Sequence, residues 1–121
     1  MSRPGFLAVA AALLLVAGCG GEDVATVDST QRCLRDAGYA AVPGPASEVL
    51  HTTGQVAVSR GSFRAAIYFF DSVAAASRDA VSLGHTLAVS GGGLAIQRGS
   101  VVIGYARRPG HGERERVEGC L

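Results

Sequence analysis

Val56-Ala57-Val58-Ser59-Arg60-Gly61-Ser62 is echoed 38 residues further on by Leu94-Ala95-Ile96-Gln97-Arg98-Gly99-Ser100. Both read aliphatic, Ala, aliphatic, polar, Arg, Gly, Ser. Each is followed by an apolar run, Phe63 to Phe70 and Val101 to Ala106. Glycine at the end of a strand-like segment supplies the positive φ of a tight turn, so each copy predicts a β-hairpin with Gly61 or Gly99 at its tip. A duplicated functional loop, with Arg60 and Arg98 as paired anion ligands, is the competing reading. Turn chemistry alone accounts for the glycines. Side chains alternate across a strand, so Phe63, Ala65, Ile67 and Phe69 form the expected core face. Tyr68 and Phe70 lie on the other face, partly exposed or covered by another segment.

Helical patterns flank and separate the hairpins. Asp28, with Gln31 three residues on, predicts a capped helix start, and Gly38 suits the position just past its end. Thr30, Cys33, Leu34 and Ala37 share one face of that helix and turn Cys33 inward. Tyr39 to Val42 reads as a short extended piece, broken by Pro43-Gly44-Pro45; Ser47 to Thr53 is ambiguous. Asp71 to Gly84 predicts a second helix with Val73, Ala76, Ala80 and Leu83 inward. His85 to Val89 reads as a strand and Gly91 to Gly93 as a loose joint. Glu113 to Cys120 predicts a last short helix with Val117, Cys120 and Leu121 on its apolar side. The expected fold is α+β: an antiparallel sheet of four to five strands from two hairpins, helices on one face, and the terminal helices adjacent.

Composition narrows the partners. The 121 residues fit one domain, and 11 basic residues, all arginine, meet 10 acidic ones. A balance this even argues against nucleic acid, which selects a basic excess on one face. The chain lacks a Gly-x-Ser-x-Gly elbow. His51, His85 and His111 are too far apart in sequence for a zinc motif. The glycines at 91–93 lead into a strand-like run and not into a helix, so they do not form a phosphate loop. The basic loop Arg107-Arg108-Pro109-Gly110-His111-Gly112 reads as solvated, with contact to lipid headgroups as the alternative.

The N-terminus carries the most specific signal. Arg3 precedes a 12-residue apolar run, Phe6 to Ala17. That is the length of a signal-peptide core and too short to span a bilayer, which takes about 20 residues. The run closes on Val16-Ala17-Gly18-Cys19, which resembles the lipobox of bacterial lipoproteins. The resemblance covers the first 19 residues. It implies loss of residues 1–18 as a signal peptide, lipidation of Cys19, a short tether over 19–27 and a single domain over 28–121. Two or more acyl chains hold a protein stably at a membrane surface. The residues from Cys19 onward hold ten arginines and ten acids, so attraction to anionic lipid adds little.

With Cys19 lipidated and the domain outside the cytoplasm, Cys33 and Cys120 are left to pair as a disulfide. Two free buried thiols or a metal pair are the alternatives. The chain then reads as an extracytoplasmic protein tethered to the cell membrane through its lipid anchor. Its domain is a non-catalytic binding or interaction module with a cell-envelope protein as possible partner, and no cofactor is implied. A small envelope enzyme or ligand carrier, its site assembled from distant residues, is the alternative. The mature domain otherwise looks like small bacterial lipoproteins of no known activity.

Overall fold

The computed structural model describes residues 25–47 and 51–121. The expected signal peptide, Cys19 and most of the tether lie outside the described residues. Among the described residues, eight elements follow in chain order: α1 (Val27–Asp36), β1 (Ala40–Gly44), β2 (Gly54–Arg60), β3 (Phe63–Phe69), α2 (Val73–Gly91), β4 (Leu94–Arg98), β5 (Val101–Tyr105) and α3 (His111–Glu118). The strands form one open antiparallel sheet in the order β1-β2-β3-β5-β4, an α+β architecture.

Both hairpins form where the echoed sequence places them. Arg60 pairs with Phe63 and Arg98 with Val101, leaving two-residue turns. Gly61 and Gly99 take φ of 59° and 63°. A positive φ at the first turn position alone is the pattern of the turn that matches strand twist. The two tips, however, point to opposite ends of the sheet. β3 and β5 run antiparallel with Ala65 opposite Tyr105 and Phe69 opposite Val101, so the start of β3 meets the end of β5. Arg60 and Arg98 therefore cannot share one ligand, which removes the duplicated-loop reading.

The first helix starts two residues earlier than expected. Thr26, not Asp28, is the cap: its hydroxyl accepts from the Ser29 amide at 3.0 Å, and the Ser29 hydroxyl accepts from the Thr26 amide at 3.0 Å. Asp28 instead sits in the first turn, where a negative charge suits the helix dipole, and pairs with Arg32. The helix ends as expected: Gly38 N–H bonds the Arg35 carbonyl and Tyr39 N–H the Leu34 carbonyl, each at 3.0 Å. β1 then runs through Pro43 instead of breaking there. It is an edge strand, so the missing N–H is tolerated.

The larger correction concerns α2. It begins after Ser72, whose hydroxyl accepts from the Ala75 amide, and continues through Gly84 to Gly91. The expected strand His85 to Val89 is its second half. Leu83 and Leu87 extend the inward row of Ala76 and Ala80 and close over Gly104 of β5. Gly84 lies within the helix instead of ending it and faces β4, where a Cβ would make ordinary contact with that of Ala95 at 3.6 Å. Thr86 and Ser90 return their hydroxyls to carbonyls four residues back, at 3.0 and 2.9 Å. The Gly91 to Gly93 joint is correspondingly tight. Gly92 and Gly93 donate to the Ala88 and Leu87 carbonyls at 3.1 and 3.0 Å.

Helices cover both faces of the sheet. α1 and α3 share the face of Val56, Val58, Ile67, Ile103 and Tyr105, contributing Leu34 and Val117. Burying Leu34 and Val117 completely contributes about 1.5–3 kcal/mol each. α2 takes the opposite face, over Tyr68, Val102 and Ala95, and so departs from the single covered face expected. β5 lies between the two layers and is buried at all five positions. The terminal helices are neighbours, joined by the Cys33–Cys120 disulfide with Cα atoms 5.5 Å apart.

Candidate functional site

The turn of the β2–β3 hairpin and the loop between β5 and α3 meet at one end of the sheet. Their junction is a hydrogen bond from the Ala106 amide to the Arg64 carbonyl, 3.1 Å long. Two arginines come from each side: Arg60 and Arg64, Arg107 and Arg108. Together with Phe63 and Glu113 they line an open cleft of about 580 Å³.

Two of these arginines are held in place. The Arg60 guanidinium stands 5.4 Å above the ring of Tyr39. That ring continues into a tilted stack, 5.6 Å to Phe63 and a further 6.1 Å to Tyr105. A cation over an aromatic face is attracted by the ring quadrupole and loses less freedom when it takes a ligand. Arg64 donates one Nη1 to the carbonyls of Gly61 and Phe63, at 2.6 and 2.8 Å. Its other donors remain for an incoming acceptor.

The balance of charge is one-sided. Among the described residues, no carboxylate pairs with Arg60, Arg64, Arg107 or Arg108. Glu113, the acid in the lining, is already engaged by Arg116 at 2.9 Å. Arg116 also donates to the Tyr39 hydroxyl, and these two bonds, Tyr39 first, raise its pKa further. The first turn of α3 opens beside the cleft at Gly110, which has no side chain to cap it. Guanidinium groups facing one space, with uncapped helix amides alongside, suit a phosphate or carboxylate.

Beside this cleft, on the α2 face, lies a second hollow of about 220 Å³, mostly apolar. Ala66, Tyr68, Leu87 and Gly104 line it, and Arg64 and Ala106 are common to both spaces. Ala66 and Gly104 are paired across β3 and β5 in its floor.

The remaining candidate residues lie elsewhere. Arg98 is at the far end of the sheet and bonds Glu118 at 3.1 Å. Glu118, expected on an exposed charged side, is largely buried and also accepts from Arg114 at 2.7 Å and the Tyr105 hydroxyl at 3.2 Å. His51 faces Asp79 at 3.7 Å, His85 lies within α2, and His111 opens α3 beside Glu115. Among the described residues, no group of three His, Cys, Asp or Glu is placed to hold a metal ion. No helix there is long and apolar enough to cross a membrane. Sequence reading passed over Arg64 and treated Arg107 and Arg108 as a solvated loop. The pairing of β3 with β5 is the signal that would have joined them. Comparison with known proteins adds no family: no family model, curated protein or solved structure matches the chain.

Proposed function

We propose that the chain is a bacterial lipoprotein, lipidated at Cys19 and tethered to the extracytoplasmic face of the cell membrane. Its domain is a non-catalytic binding module for an anionic group, carried by a component of the cell envelope. The lipobox-like Val16-Ala17-Gly18-Cys19 supports the tether. The observation that carries the binding reading is the convergence on one open cleft of four arginines that have no carboxylate partner among the described residues.

The direction of the tether fits this reading. The start of α1 lies at the end of the sheet opposite the cleft: Val27 packs on Gly54, which pairs with Phe69. A strand of this length spans about 20 Å. The cleft thus lies at the end of the sheet away from Thr26, and Thr26 is on the side nearer the expected anchor, which supports a ligand on the envelope side.

Titration calorimetry with pyrophosphate tests the binding. The expected result is saturable binding that weakens with added salt, and that falls at least tenfold in the Arg60→Gln/Arg107→Gln double variant. Arg98→Gln, at the other end of the sheet, leaves it unchanged. Equal affinity in the double variant and the parent overturns the cleft as the site. For the tether, a fatty-acid probe should label the parent in cells and not Cys19→Ala, and equal labelling refutes it.

A further inference from the structure

The two hollows at the cleft end of the sheet share Arg64 and Ala106 in their linings, and their chemistries differ. The larger one is lined by arginines. The smaller is lined by Ala66, Tyr68, Leu87 and Gly104, and its wall is mostly apolar. Arg64 and Ala106 form the boundary between them. A ligand reaching from one to the other meets guanidinium donors first and methyl, methylene and ring carbons beyond. Burial pushes the Tyr68 hydroxyl up from its ordinary value.

We propose that the joint site takes a single anionic amphiphile. A phosphate or carboxylate head sits among Arg60, Arg64, Arg107 and Arg108, and a short alkyl segment runs past Ala106 into the hollow between α2 and the sheet. The proposal rests on the anion-binding reading and adds the chemistry of the rest of the ligand. Charge complementarity fixes the head. The hollow, open on its solvent side, bounds the tail to a short chain: 220 Å³ is on the order of seven groups of water size, at about 30 Å³ each. Each methylene that leaves water for the hollow should tighten binding roughly two- to fourfold. A chain longer than the hollow gains nothing more, because its remaining carbons stay in solvent.

The test uses the full chain carrying Cys19→Ser, which takes no lipid of its own, with the Cys33–Cys120 bridge intact. Inorganic phosphate and the butyl, hexyl, octyl and decyl phosphates are titrated below their micelle-forming concentrations, beside the matching alkyl carboxylates and decanol. The expected result is affinity that rises with chain length to about six to eight carbons and then levels, with decanol at least tenfold weaker than decyl phosphate. Preference for the carboxylate series assigns a fatty acid, preference for the phosphate series a phosphate-headed lipid, and both support the proposal. Ala66→Leu fills the hollow and should remove the chain-length gain while leaving inorganic phosphate binding as it was. The length series in the unmutated domain decides the matter if that variant folds poorly. Phosphate binding with no chain-length gain, or a gain that never levels, overturns the amphiphile and leaves the anion cleft standing. Failure to bind phosphate and every alkyl anion removes both.

Discussion

At Gly93 a side chain has nowhere to go. A Cβ built there would lie 2.0 Å from the Tyr105 carbonyl oxygen, at the buried end of β5, and 2.8 Å from that of Ala106 just beyond it. At Gly99 the space is open but φ is 63°, so the cost of a side chain is conformational. Gly93→Ala should therefore destabilise by about 3 kcal/mol or more, since overpacked backbone must shift. Gly99→Ala should cost about 1 kcal/mol, the left-handed penalty for one residue. Urea unfolding midpoints check the order, and a Gly99→Ala variant as damaged as Gly93→Ala would contradict this account. The two glycines also show what a sequence exposes. Gly61 and Gly99 were legible because the turn that needs them is made by their own neighbours. Gly93 read as slack because its constraint comes from a carbonyl twelve residues on, across a strand pair.

Among the elements, α2 and α3 show opposite kinds of surprise. α2 hid its second half behind Gly84 and the β-branched Thr86 and Val89, which favour other structure locally. The row Ala76, Ala80, Leu83, Leu87 continues at helical spacing through that stretch, and packing on Gly104 overrides the propensity. α3 was legible as a helix, but its charges were not, because Glu118 is claimed by partners from β4 and β5. Its carboxylate bridges Arg98, Arg114 and Tyr105, and so ties an eight-residue helix to the sheet. An isolated helix of that length is marginal in water. Burial first, then the Glu118 carboxylate, hold the Tyr105 phenol well above its ordinary pKa. A phenol whose folded pKa exceeds its unfolded value contributes stability that is whole below about pH 10 and is lost as pH rises towards the folded value. Stability should thus fall above about pH 10, and Tyr105→Phe should flatten that fall while costing about 1 kcal/mol at neutral pH. Urea midpoints from neutral to alkaline pH check both; an unchanged alkaline slope in Tyr105→Phe would count against the Glu118 clasp. Tyr68, also raised by burial, leaves a residual slope.

For the whole molecule, the Cys33–Cys120 disulfide spans 87 positions of a 121-residue chain. Closing so long a loop stabilises by roughly 4–5 kcal/mol in the chain-entropy view. Reduction should lower the thermal midpoint by more than about 10 °C, given about 4–8 °C per kcal/mol for a domain of this size. Hydrogen exchange in the reduced protein should reach the Val117 amide before the Ile67 amide, as α3 detaches first. Simultaneous exchange at both would show the helix held by its side chains alone. The arginine cleft belongs to this scale too, which is why it escaped the sequence. Arg60 and Arg64 are over forty residues from Arg107 and Arg108, and only the strand order, with β5 inserted between β3 and β4, makes them neighbours. The same bridge has a topological consequence. Residues 33–120 form a covalent ring, so a protease that nicks any one exposed loop within it produces two peptides that stay joined. Such a cut leaves the mass of the oxidised protein larger by one water, and the fragments separate only when the bridge is reduced.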